Sequence, residues 1–416
     1  HDWIQMTPSR PTTVEGEDLQ FPRLIGTGIS AKLLVDTSTQ IFNPFLEIIA
    51  VGLGTNVIVL GRMLGLRSIM GLLAPLSGSL ADRYGYRIVM RVTLVAAALG
   101  MFLIGISTNL WTVALGMMFS GYGISSFVPN LHAYLSAKLP YAIRARGLGM
   151  IEYSWALTGI IGLFLVGQII AAVGWRAPFF MLAAGLVLMA VVIGILPAAG
   201  RATHRPAAVG AQVDVGPAAR LRDFFRLGIH ARSAYSLIVA GALNFFAAMQ
   251  LMLMHGTWLG TEYGLGAAQL GTIALILGVF DLTASISVSL FTDRIGKRRS
   301  VIIGMSGALL GYLLMPFLNT GLVAAVAIIG FARGFFEFGV VSNFPLLSEQ
   351  VPEQRGKVMT LSAAFAMLGA TVASFSAPAL YAHFGVTGMA GTSAVAEVGA
   401  LLILVLVVKE HAAMRA

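Results

Sequence analysis

The chain has 416 residues, of which 57% are hydrophobic and 11% charged, with a mean hydropathy of +0.85. Soluble domains carry about a quarter charged residues, so lipid is the solvent for most of this chain. The formal net charge of +9 does not point to nucleic acid, because the basic residues are spread thinly between apolar runs, and the absence of cysteine excludes disulfides, thiolate metal sites and cysteine nucleophiles.

Apolar runs of about 20 residues recur along the chain, each long enough to cross a hydrocarbon core of roughly 30 Å. Runs such as Leu182 to Leu196 and Ala400 to Val408 are apolar on every side, a helical pattern and not that of barrel strands. In chain order the spacing predicts helices over 28–50, 55–80, 88–107, 110–136, 148–172 and 177–197, then over 234–256, 268–291, 300–318, 321–347, 358–382 and 388–408. The expected architecture is an all-α polytopic membrane protein of twelve transmembrane helices in two six-helix bundles, 28–197 and 234–408. Residues 1–27 read as a cytoplasmic amino-terminal segment, 198–233 as a cytoplasmic linker rich in Ala, Pro and Arg, and 409–416 as a cytoplasmic tail. His1 to Gln5 precede Met6 and are left out of the fold argument. The end of the linker, Leu221 to Leu227, mixes aromatics with Arg and reads either as a short interfacial helix or as plain solvated chain.

Positive charge sets the expected orientation, since Lys and Arg stay in cytoplasmic loops. With a cytoplasmic amino terminus, 22 of the 27 Lys and Arg fall on the inner side and only Arg176 falls clearly outside. Both termini are therefore expected to be cytoplasmic, in a multi-pass protein of the inner membrane.

The two halves repeat one another. Gly78-Ser79-Leu80-Ala81-Asp82-Arg83-Tyr84-Gly85-Tyr86-Arg87 returns as Ser289-Leu290-Phe291-Thr292-Asp293-Arg294-Ile295-Gly296-Lys297-Arg298, an offset of 293 − 82 = 211. Arg146-Gly147 returns as Arg355-Gly356, an offset of 355 − 146 = 209. Elementary chemistry gives the loop a role as a gate: Gly78 for close helix approach, Asp82 to accept from a helix amino end, Arg83 and Arg87 to bind a carboxylate or a lipid phosphate. The competing account is a tight turn bearing positive-inside charges.

The run Gly-x-Leu-Ala-Asp-Arg-x-Gly at Gly78 to Gly85 resembles the signature loop of the major facilitator superfamily, and Gly174-Trp175-Arg176-Ala177-Pro178-Phe179 resembles the outer end of helix five in drug/proton antiporters of that superfamily. Tyr86, where a basic residue is usual, and Ser289, in place of the leading Gly, depart from the pattern, and the antiporter Gly-Pro of helix five is replaced by Gly162-Leu163. The resemblance implies a secondary transporter working by alternating access, with Gly78, Asp82, Arg83, Gly85, Arg87, Asp293, Arg294, Gly296, Lys297 and Arg298 as gating residues.

An ionisable group at bilayer depth costs at least about 2.5 kcal/mol on insertion scales, so each asks for a partner or a wet cavity. Asp36, Asp281 and Glu337 are the proton-coupling candidates. Arg333 and Glu337, four residues apart, are expected to pair along one helix face, and Asp36 can pair with Lys32 in the same way. Asp281 has no such neighbour and must find a partner on another helix, water or a proton. Glu397 reads as structural, and Glu152 as too near a helix end to count.

Arg67 and Arg333 offer guanidinium forks for an anion, and Arg67 could instead bridge to Glu47 or Asp36. Tyr122, Asn130, Asn244 and Gln250 are further substrate-binding candidates, with His132, Tyr153, Trp155 and His255 as additional polar or aromatic groups at cavity depth. The chain lacks a GxxxxGK[S/T] phosphate loop and an HExxH motif, so neither an enzyme nor an ATP-driven pump is expected, and no cofactor or metal. A monomer handling a small molecule, protons and membrane lipids is expected. Two readings stay open, proton-coupled export of a drug-like compound or metabolite and symport of a small organic anion, with a receptor or scaffold as the non-transporting alternative.

Overall fold

The computed structural model describes residues 15–197, 225–227, 231–351 and 354–409, with backbone alone for 15–20, 75, 79, 82, 141, 142, 145, 289 and 293. Among the described residues there is no strand. The first half comprises α1 (Glu15–Gln40), α2 (Phe42–Gly52), α3 (Val57–Gly71), α4 (Ala74–Tyr84), α5 (Tyr86–Ile106), α6 (Leu110–Lys138), α7 (Tyr141–Leu157), a π-helical turn (Thr158–Leu163), α8 (Phe164–Val173) and α9 (Ala177–Ile195). The second half comprises α10 (Ala231–Tyr263), α11 (Ala267–Ile295), α12 (Lys297–Leu314), α13 (Leu322–Gln350) and α14 (Arg355–Leu406).

Seven of the described helical stretches are long and apolar enough to cross a membrane: Tyr86–Ile106, Arg146–Val173, Ala177–Ile195, Ala231–Tyr263, Ala267–Thr292, Leu322–Gln350 and Arg355–Leu406. Of the remaining predicted spans, 110–136 and 300–318 appear as the unbroken helices α6 and α12, whereas 28–50 and 55–80 each appear in two pieces. The helix expected over 28–50 begins as early as Glu15 and divides at Ile41, three residues ahead of Pro44, whose ring removes a hydrogen-bond donor and crowds the preceding turn. The helix expected over 55–80 divides between Gly71 and Ala74, with Pro75 in the first turn of α4. The two helices expected over 358–382 and 388–408 run together as α14 across a break at Gly385, whose φ of +59° is left-handed. Most of the predicted linker and interfacial helix lies outside the described residues, and 225–227 are not helical.

Local chemistry explains where the helices start. Asn56 and Asn109 sit in extended backbone and accept from Val59 N at 3.0 Å and Thr112 N at 2.9 Å, capping α3 and α6. Gly85 and Gly296, the last residues of the two Asp-Arg-x-Gly copies, have φ of +94° and +98°, so each joins two helices through a turn that a side chain would strain. The repeat also governs packing. Arg87 donates through Nη1 to Leu196 O at 2.7 Å. Its counterpart Arg298, again 298 − 87 = 211 residues on, donates to Val405 O at 2.9 Å, Val408 O at 3.1 Å and Leu404 O at 3.3 Å. Each loop thus clasps the exposed carbonyl end of the last helix of its own half, where cations are favoured. Among the described residues Arg87 thus meets the Leu196 carbonyl in place of the expected carboxylate or lipid phosphate.

The halves meet at the face away from Gly85 and Gly296. An added Cβ at Gly256 would lie 2.2 Å from Pro44 O, one at Gly61 2.8 Å from Ser374 O, one at Gly159 2.9 Å from Gly278 Cα and one at Gly167 2.7 Å from Gly271 Cα. Three helix pairs therefore touch backbone to backbone there, the stretch from Arg146 to Val173 meeting α11 at two points, as small residues permit. At the other face a Cβ on Gly78, Gly149 or Gly356 would meet nothing within 4 Å, and Leu80 and Phe344 are exposed. The close approach expected at Gly78 is absent in this conformation, which is sealed at one face and parted at the face of the duplicated loops.

Candidate functional site

Two polar clusters occupy the interior, one in each half. In the first, α1 carries Lys32 and Asp36 one turn apart, and their side chains pair at 2.9 Å, as their spacing suggests. α7 closes the cluster from the other side. Ser154 Oγ donates to Asp36 at 2.7 Å and accepts from Lys32 at 3.1 Å, and Glu152 lies 3.2 Å from the Lys32 ammonium. His132 of α6 brings Nε2 to 2.9 Å from Glu152. Lys32 and Asp36 are buried, whereas the Glu152 side chain remains 55% exposed, so this carboxylate is the cluster's open edge.

In the second half Arg333 of α13 does not pair with Glu337 on its own helix. It turns to α11, where Nη2 donates to Asp281 at 2.5 Å and Nε lies 3.4 Å from the other carboxyl oxygen. This near-bidentate geometry outcompetes a same-helix pair that would need both long side chains to bend along the rod. Among the described residues Glu337 is left with one hydrogen bond, from Ser285 at 3.3 Å, and lies within Coulombic reach of Asp281, Arg333 and, across the two halves, Glu152. His255 of α10 is buried beside Arg333, its Nδ1 2.8 Å from Met252 O.

Arg67 bridges neither Glu47 nor Asp36. Buried on α3, it donates to Ser38 O and Thr39 O, each at 3.2 Å, with its guanidinium 5.5 Å from the Phe42 ring centroid. The break between α1 and α2 frees those carbonyls, and the arginine fills the gap that it leaves.

The other predicted contacts divide. Asn130 donates to Ser77 at 2.8 Å and Ser126 O at 2.7 Å, joining α6 to α4, and Thr292 with Ser342 makes the corresponding link at 3.0 Å between α11 and α13. Asn244, with its amide nitrogen turned toward Glu397, donates to both carboxyl oxygens at 3.1 Å and thereby ties α10 to α14. Gln250 donates to Ser376 at 2.9 Å, and its buried Oε1 has no partner among the described residues. Tyr122 is half-buried. Of the loop residues, Arg83 is exposed over the Tyr84 ring and Lys297 pairs with Glu349, while the side chains of Asp82 and Asp293 lie outside the described set.

Sequence reasoning passed over Glu152 and Ser154. α7 begins at Tyr141 and not near 148, because Arg144 and Arg146 lie on the helix instead of in a loop. Glu152 is therefore some three turns deep, about 16 Å along the helix at 1.5 Å per residue. An unbroken stretch from Tyr141 without Pro or paired Gly was the available signal.

Taken together, the clusters hold four carboxylates, Asp36, Glu152, Asp281 and Glu337, against two permanent cations, Lys32 and Arg333. At membrane depth such carboxylates call for a counter-charge, water or a proton. Such a site can exchange one of these for another without any covalent chemistry.

Known proteins resemble the chain over most of its length. The MFS-type transporter YceJ of Bacillus subtilis is 28% identical over 374 residues, 86% of this chain and 90% of YceJ, and the class C tetracycline resistance protein of Escherichia coli is 27% identical over 333 residues, 77% of this chain and 80% of that protein. Among solved structures, a D-xylose-proton symporter superposes with a TM-score of 0.73 at 17% identity, covering 93% of this chain and 97% of that one. The human organic anion transporter MFSD10 gives 0.66 at 18%, covering 93% and 99%. The relatives are transporters and not enzymes, and the apolar helices make this an integral membrane protein that acts on small molecules. With the family model of the Major Facilitator Superfamily matching residues 29–338 and 237–415, the chain belongs to that superfamily of secondary transporters.

Proposed function

We propose that this protein exports a small lipophilic compound, cationic or neutral and drug-like or metabolic, across the inner membrane in exchange for protons. The observation that carries the proposal is the excess of four carboxylates over two fixed cations in the two central clusters. Glu337, held among the described residues by Ser285 while Asp281 takes Arg333, is the group with most freedom to gain a proton. If Arg333 moves from Asp281 to Glu337, one turn along α13, the uncovered carboxylate changes and the proton moves with it. Glu152 offers the matching acidic edge in the other half, where a cationic guest would compete with Lys32 and His132.

The boundaries at 28–197 and 234–408 serve as the two rocking halves, joined by a cytoplasmic linker. Under the charge rule the parted face, bearing the duplicated basic loops, is cytoplasmic, as are both termini, so the conformation is the one that loads an exporter. A single chain contains a complete path, which favours a monomer. The 27% identity to a tetracycline resistance protein supports the export reading.

The test is accumulation of a fluorescent lipophilic cation by inside-out vesicles energised with an acid interior. Glu337→Gln should abolish accumulation driven by the pH gradient while leaving downhill equilibration of the same compound measurable. Equal gradient-driven accumulation by the variant would remove Glu337 from the coupling. A second reading, symport of a small organic anion, is favoured by one observation: Arg67 has no carboxylate partner among the described residues. It requires Arg67 to leave the Ser38 and Thr39 carbonyls, and Arg67→Lys would then abolish anion uptake.

A further inference from the structure

Outside the central site, α5 and α9 enclose a groove of about 320 Å³ on the outer wall of the first half. Val92 and Val95 form one side and Val187 and Val191 the other, with Arg91 as the charged lining residue. The guanidinium is fixed in place from one edge. Arg91 Nε donates to Ala190 O at 3.2 Å, and it lies over Gly194, where an added Cβ would come within 3.2 Å of both Nε and Cζ. The two terminal nitrogens have no partner among the described residues, and the side chain is exposed.

Arg91 lies five residues into α5, about 7.5 Å along the helix from the loop face at 1.5 Å per residue. A guanidinium with both terminal nitrogens open, on a wall otherwise lined by Ile88, Ala190 and four valines, is costly at that level unless an anion meets it. The duplicated loop does not account for it, since the position 211 residues on is Ile302. The first half therefore combines a fixed fork whose two ends are open with an apolar trough leading away from it.

We infer that this groove binds one anionic phospholipid, its phosphate on the Arg91 terminal nitrogens and an acyl chain between the valines of α5 and α9. Guanidinium geometry matches two phosphate oxygens, and the valine walls offer nothing to a free phosphate ion. A lipid with net negative charge is favoured over a zwitterionic one because the same face carries Arg87 and the other basic residues of the loop.

Native mass spectrometry of the purified protein, released from mixed micelles holding equal phosphatidylglycerol and phosphatidylcholine, tests the site. The wild type should retain one phosphatidylglycerol in preference to phosphatidylcholine. Arg91→Gln should weaken that retention about fivefold, the factor that one basic residue contributes at a membrane surface. Val191→Trp, which fills the trough and leaves the arginine, should weaken it too, and Arg91→Lys, which keeps the charge but not the fork, should retain only part of it. Equal retention of both lipids by the wild type, or undiminished retention by Arg91→Gln, would overturn the proposal. Displacement of the lipid by millimolar inorganic phosphate would make the occupant a small anion and overturn it as well.

Discussion

The choice of partner by Arg333 has a thermodynamic consequence. Its pair with Asp281 is buried on both sides, and removing one member of a buried pair typically costs about 3–5 kcal/mol because the other charge is left without compensation. Asp281→Ala should therefore lower the thermal midpoint in detergent, but by less than that range implies, since Glu337 lies one turn from Arg333 and can take its place. The double variant Asp281→Ala with Glu337→Gln removes the substitute and should lose more than the sum of the single losses. Strict additivity would show that Arg333 does not move between the two carboxylates. The acidic and basic residues themselves were visible in the sequence, because an ionisable residue inside an apolar run stands out. Their pairing was not. Which of two carboxylates an arginine takes depends on how each helix is rotated about its axis, and a one-turn spacing on a single helix is only one of the available answers.

The helices show the same division between local and distant information. The two Asp-Arg-x-Gly turns were legible because a left-handed residue between helices calls for glycine and so leaves a mark in a single short window. Gly85→Ala should cost about 1–3 kcal/mol for the strained backbone, read as a fall in thermal midpoint. The onset of α7 and the break near Ile41 were misread because charge was taken as loop and because Pro44 lies three residues past the break that it favours. Close helix approach is likewise a property of pairs. Gly78, singled out for packing, has open space around it here, whereas Gly256, which no motif marks, abuts the Pro44 carbonyl. Gly256→Val should disfavour the sealed face by about 1–3 kcal/mol, the usual cost of overpacking, and shift the protein toward the opposite conformation. The chain has no native cysteine, so a single cysteine near Gly61 reports this cleanly. Its labelling by a membrane-impermeant maleimide should rise in the Gly256→Val background, and unchanged labelling would show that the contact is not part of the seal.

For the whole molecule, the duplicated plan was the most legible feature, since the offsets of 211 and 209 residues announce two like halves before any helix is placed. The conformation was not legible, because under the alternating access proposed here one sequence serves both the sealed and the parted state of each face. The account requires that both be reached. Spin labels at Leu80 and Phe344, on opposite halves at the parted face, should report a distance that shortens when a transported cation is added, and a single unchanging distance would contradict rocking of the halves.

The central claim is that the acidic excess of the two clusters exchanges protons for a guest. It is tested most directly in proteoliposomes carrying a pH-sensitive dye inside, with lipophilic cations and small organic anions added outside in turn. The account predicts that a transported lipophilic cation drives protons in the opposite direction, changing the internal pH, and that Glu337→Gln abolishes the change. No proton movement with any compound that the protein demonstrably transports, or movement only with anions, would contradict it.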